Sequence, residues 1–172
     1  MVPKYARFER ERRFLLRDWP LGWESMPVRR IEDRYLEGTR LRLRTVREGD
    51  AVLRKLGHKE RVGGDPMAVL ATSMYLYEEE ARVLASLPAR VLLKSRRTVR
   101  FGGFEGALDI FEGALEGLVL FEVGFASAEA LAGFTPPAFL GREVTRDDRF
   151  SGGGLAGCAF RDLEPSTLFV GR

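Results

Sequence analysis

With 172 residues, 45% of them hydrophobic, the chain can bury one sizeable core but is too short for two full catalytic domains. Its 28 Lys and Arg against 25 Asp and Glu leave a net charge of +3, which suits local anion binding and lacks the bulk basic excess of a histone-like protein. Cys158 is the single cysteine, which excludes an intramolecular disulfide and a cysteine-based zinc site. With no apolar leader and no uncharged run of spanning length, the expectation is a soluble, cytoplasmic protein.

In chain order, the first predicted strand runs from Arg7 to Leu16 and enters the turn-rich stretch RDWPLGWESMP, where Trp19 and Trp23 flank Pro20 and are expected to pack against the sheet. Two strand-like runs follow, separated by EGD, a hairpin signal. Next come a β-prone ATSMYL and a short amphipathic helix over YEEEARVLASLP, stopped by Pro88. A second hairpin is predicted to turn at Gly102 and Gly103, LEGLVLFEVGF reads as a further strand, and Ser127 as the N-cap of a helix over AEALAGF. The tail is glycine-rich: Gly152 to Gly154 read as a flexible joint, residues 1–157 as one domain and residues 158–172 as a loosely specified extension. His58 and the surrounding GHKER read as a solvated, charged turn, and Glu143 as the partner of a basic residue.

Charge on the strands carries the functional signal. A half-buried strand alternates apolar and polar residues, so Glu9, Glu11 and Arg13 share one face of the first strand, and Arg40, Arg42 and Arg44 one face of TRLRLRT. Lys94 and Arg96 repeat the pattern, and Asp109 and Glu122 sit in otherwise apolar strands. On any single strand such a face is ordinary solvent exposure. Recurring on five, it predicts a barrel whose interior has a basic side and an acidic side. Unpaired charges taken out of water are costly, so that interior must stay wet or bind a charged ligand. Carboxylates suit Mg²⁺ or Mn²⁺ and guanidinium forks match phosphate oxygens, which together describe a site for a metal-bound polyphosphate.

These residues resemble the CYTH domain, the triphosphate tunnel metalloenzyme superfamily, whose N-terminal hallmark ExExK stands here as Glu9, Glu11 and Arg13. The likeness continues in the family's order through YLEGTRLRLR, VLRKLGHK, LLKSRRTV, LDIFEGALEGLVLFEV and GREVTRDDRF. It implies an α+β fold, a closed eight-stranded antiparallel β-barrel with flanking short helices. It also implies a divalent cation, Mg²⁺ or Mn²⁺, and a triphosphate-containing small molecule. By resemblance, Glu9, Glu11 and Glu122 are the catalytic, metal-binding carboxylates, with Asp109 a further metal ligand. Arg13, Arg42, Arg44, Lys55, Lys94 and Arg96 would bind the phosphate chain. Three positions depart from the pattern: Gly124 stands where a second glutamate is expected, Ala107 where a glutamate is frequent, and Phe150 where a tyrosine is common.

The implied reaction is in-line attack of water on the terminal phosphorus, a metal-dependent triphosphatase acting on a phosphoric anhydride. Inorganic tripolyphosphate is the expected substrate, because no aromatic or amide platform for a base stands out. Thiamine triphosphatase and adenylate cyclase are the enzymatic alternatives, and Gly124 raises a non-catalytic polyphosphate or nucleotide sensor. The small net charge and the apolar contexts of most aromatics argue against nucleic acid.

Overall fold

The computed structural model describes residues 4–63 and 65–163. Nine strands form one sheet: β1 (Arg7–Leu16), β2 (Val28–Leu36), β3 (Leu41–Glu48), β4 (Ala51–Val62), β5 (Asp65–Tyr75), β6 (Ala89–Phe101), β7 (Phe104–Phe111), β8 (Val119–Phe125) and β9 (Leu140–Glu143). Their order is β5-β4-β3-β2-β6-β7-β8-β1-β9, and β1 also pairs with β5, so the first eight strands close into an antiparallel barrel. The short β9 lies against the second half of β1. Closure removes the sheet edges that an open sheet of this size would expose.

The hairpins follow their turn chemistry. Gly102 and Gly103 connect β6 to β7 with φ of 50° and 81°, the double left-handed geometry that glycine adopts at little cost. The EGD turn joins β3 to β4 as expected, but the run before it holds two strands, β2 and β3, because EGTR is itself a turn. GHKER is not a turn either: His58, Lys59, Glu60 and Arg61 all pair within β4.

Among the described residues, three short helices flank the barrel. In α1 (Glu78–Ala85) the Glu80 carboxylate accepts a hydrogen bond from the Tyr77 backbone N–H at 2.7 Å, and α2 (Ala128–Ala132) is capped by Ser127, whose Oγ accepts from the Ala130 N–H at 3.2 Å. The glycines expected to form a joint instead build α3 (Gly152–Leu155), closed by Ser151 Oγ accepting from the Gly154 N–H at 3.0 Å. Two crowded spots select glycine here. A Cβ at Gly152 would lie 2.0 Å from the Tyr35 hydroxyl, and one at Gly154 2.2 Å from the Asp148 carbonyl oxygen.

Two apolar clusters hold the molecule together. Outside the barrel, Phe14, Leu16, Leu108, Phe121, Val123, Phe125 and Phe134 pack beneath α2 and the Trp19–Trp23 loop, whose indoles stack at 4.1 Å. Inside, Leu15, Leu92, Phe111 and Leu120 are the next inward residues beyond Arg13, Lys94, Asp109 and Glu122 on their strands, so the interior changes from charged to apolar along its length. Leu115, Leu118, Val144, Phe150, Leu155 and Leu163 complete that plug. Phe150, at the position where a tyrosine was expected, is 1% exposed and sits in it. Cys158, Phe160 and Leu163 pack on the same cluster, so the extension's first residues join the core, and its residues 164–172 lie outside the described residues.

Candidate functional site

Above the apolar plug the barrel encloses a cavity of about 260 Å³. The alternation of each strand decides what faces it. β1 contributes Glu9, Glu11 and Arg13, β2 Asp33 and Tyr35, β3 Arg42 and Arg44, β4 Lys59 and Arg61, β6 Lys94 and Arg96, and β8 Glu122. Arg40, Val69, Thr145 and the Ser151–Gly152–Gly153 backbone complete the wall. Among the described residues, eight basic side chains against four carboxylates leave the lining four charges positive.

The carboxylates are not equivalent. Asp109 is fully buried and both of its oxygens are taken: Arg96 donates to them from Nε and Nη2 at 2.6 Å each, and Lys94 Nζ donates at 2.5 Å. It does not line the cavity, and its position makes it the anchor of the Lys94–Arg96 pair. Glu122 accepts from Arg13 Nε at 2.9 Å and from Arg96 Nη2 at 2.6 Å. Burial pushes the Glu122 carboxyl up, but Lys94, Arg96 and Arg13 outweigh it and hold the group well below the usual carboxylate range. Glu9 is bound by Lys59. Glu11 lines the cavity and carries no ion pair among the described residues.

The basic wall is also organised from behind. Asp33, 1% exposed, is gripped by Arg44 through two hydrogen bonds of 2.6 Å and approached by Arg42 at 3.5 Å. Burial raises its carboxyl, and the Arg44 hydrogen bonds and charge outweigh that and lower it. Lys55 pairs across from Arg44 on the inward face of β4 without reaching the cavity lining. Burial, then the positive Arg44 and Arg42, push its pKa below the ordinary lysine range. At the mouth, Arg61 reaches the C-terminal segment through a two-toothed contact with Asp148.

Glu9, Glu11, Arg13, Arg42, Arg44, Lys94, Arg96 and Glu122 are thus brought around one space, while Asp109 and Lys55 stand behind it. Asp33, Tyr35, Lys59, Arg61 and Thr145 were missed by the sequence reading. Counting by two from Lys55 leads to Lys59 and Arg61, and counting by two along RRIEDRY leads to Asp33 and Tyr35. Glu143, expected to meet a basic residue, accepts from Arg12 Nε at 3.0 Å and Nη2 at 2.6 Å outside the barrel.

Gly124 is the inward position of β8 next to Glu122, directly across from Glu11, and a Cβ there would meet nothing within 4 Å. Among the described residues no three His, Cys, Asp or Glu side chains converge on a point that could hold an ion. Mg²⁺ is commonly held by one or two carboxylates together with phosphate oxygens, and Glu9 and Glu11 fit that sparser mode.

A closed antiparallel barrel thus surrounds an interior cavity whose described lining carries a net positive charge. No family model matches the chain. A 49-residue segment, 28% of this chain, is 47% identical to an inorganic triphosphatase of Nitrosomonas europaea and spans 32% of that protein's length. A solved structure of the inorganic triphosphatase NE1496 superposes with a TM-score of 0.60 at 27% identity, covering 86% of this chain and 93% of that one. The PH1819 protein from Pyrococcus horikoshii OT3 shares the fold at 16% identity, with a TM-score of 0.52 over 72% of this chain and 82% of its own. The chain has the fold of the CYTH, or triphosphate tunnel, family. Among the described residues no helix is long and apolar enough to cross a membrane.

Proposed function

We propose that the cavity binds inorganic tripolyphosphate and hydrolyses its terminal anhydride with Mg²⁺ or Mn²⁺. The observation that carries this reading is the inward-facing charge: around a space of about 260 Å³ the described lining is four charges positive with Glu9 and Glu11 already counted. The triphosphatase relatives support the same class of reaction. In the reaction, water attacks the terminal phosphorus in line, the bridging P–O bond breaks, and orthophosphate and pyrophosphate leave. Arg44 and Arg96 are held in place by hydrogen bonds to Asp33 and Asp109, Arg42 is paired with Asp33, and these guanidiniums would meet the phosphate oxygens with Lys59, Arg61 and Lys94 adding charge. A divalent cation held by Glu9 and Glu11 would neutralise phosphate oxygens and acidify an attacking water.

The wall also disfavours an organic base. Tyr35 is its one aromatic among the described residues, and its ring lies against Gly153, where a Cβ would sit 3.7 Å from Cε1. The test is phosphate release by the purified protein with Mg²⁺ or Mn²⁺ across a panel of triphosphates, beside Glu11→Gln. Metal-dependent release from tripolyphosphate that the variant loses is expected. Strong preference for ATP or thiamine triphosphate would overturn the substrate choice, and binding without release would turn the reading into a polyphosphate sensor, which the open space at Gly124 favours.

A further inference from the structure

We infer that this cavity takes its polyphosphate as the free anion, with no chelated divalent cation needed for binding, because Arg13 and Arg96 already occupy the Glu122 carboxylate where such a cation would sit. The inference rests on the polyphosphate reading above and separates its binding step from its turnover step.

The geometry is specific. Glu122 stands directly across from Arg13, whose Nε donates to one carboxylate oxygen at 2.9 Å, and Arg96 donates to the other at 2.6 Å. Arg96 is itself fixed by two hydrogen bonds to Asp109. A guanidinium keeps its proton at any working pH, so these donors cannot be titrated away to make room for a metal. Mg²⁺ is commonly held by one or two carboxylates together with phosphate oxygens, but both Glu122 oxygens already accept from guanidiniums, and the next inward position of β8, facing Glu11, is Gly124. A cation approaching Glu122 therefore meets two fixed positive charges and one carboxylate, inside a wall that is already four charges positive. A bare polyphosphate meets the opposite field. Any cation that turnover needs would be held on β1 by Glu11, which carries no ion pair among the described residues, together with Glu9, whose only partner there is the single ammonium of Lys59.

The test is calorimetric titration of tripolyphosphate into the full chain, in metal-free buffer and with excess Mg²⁺, alongside phosphate release. The expected Kd values for the unaltered protein agree within about threefold. Gly124→Glu, whose side chain enters open space opposite Glu11, should weaken metal-free binding by about tenfold or more, with Mg²⁺ recovering part of the loss. Gly124→Ala adds the Cβ without the charge and separates charge from bulk. Metal-free binding weaker than Mg²⁺ binding by more than about tenfold in the unaltered protein would overturn the inference while leaving the hydrolase reading intact. Metal-free binding without phosphate release under any condition would support the inference and overturn hydrolysis. No binding in either buffer would overturn both.

Discussion

Lys55 illustrates how a residue outside the cavity can set its working range. Burial and the neighbouring positive charges of Arg44 and Arg42 push its pKa below that of an ordinary lysine. A lysine with a lowered pKa loses its charge earlier as pH rises, and an anion in the cavity then loses that part of its attraction. Tripolyphosphate affinity should therefore decline on the alkaline side before ordinary lysines titrate. Lys55→Arg keeps the charge and should shift that decline to higher pH, read as Kd against pH. An unchanged profile in the variant would assign the decline elsewhere, with Lys94 the next group to examine, since burial lowers it too. At this scale most of the basic wall was legible, because period-two alternation alone puts Arg42, Arg44, Lys94 and Arg96 on inward faces. What alternation could not tell was pairing. Asp109 and Glu122 look alike in sequence, and only the register with β6 and β1 shows whose oxygens are already taken.

Among the elements, α3 departs most from expectation. Three consecutive glycines disfavour a helix by propensity, yet Ser151 caps one and the Tyr35 ring lies close against it. Propensity lost to packing: the turn exists because only residues without a Cβ fit between Tyr35 and the Asp148 carbonyl. Gly152→Ala should thus destabilise the protein by about 1–3 kcal/mol, as overpacked positions do. Urea denaturation checks this, and repeating it with Tyr35→Phe, which removes the clashing hydroxyl, should return part of the loss. A neutral Gly152→Ala would mean that Tyr35 moves aside freely. The same reasoning explains why GHKER was misread. Its charges look like a turn's, but alternate ones point into the cavity, and such a strand lacks the apolar signature by which buried strands are recognised.

For the molecule as a whole, the ionic interior ties stability to acid pH. Asp33 and Glu122 both have folded pKa values below their ordinary ones, so their pairing stabilises the barrel fully above the ordinary carboxylate range. That contribution is lost as pH falls through that range and then through the lowered folded values. Melting temperatures measured down the acid range should fall steadily. Asp33→Asn, which leaves buried Arg44 without its counter-charge, should cost about 3–5 kcal/mol at neutral pH and flatten the acid slope. An acid slope identical to that of the unaltered protein would remove Asp33 from the account. The barrel itself was legible, since strands of matching alternation in a short chain must share one interior. Its closure has a consequence for synthesis. β1 completes the ring by joining β8, more than a hundred residues later, and β5. Of the eight barrel strands, β1 is made before both of its neighbours and gains the second only when β8 is made, and it carries Glu9 and Glu11. Until residues 120–125 emerge, those carboxylates belong to an open ribbon with unpaired edges, the form in which sheet proteins are most prone to stick to one another. The strand that carries Glu9 and Glu11 into the cavity is also the seam that ends this exposure, so the cavity is completed and the edges are covered in one event.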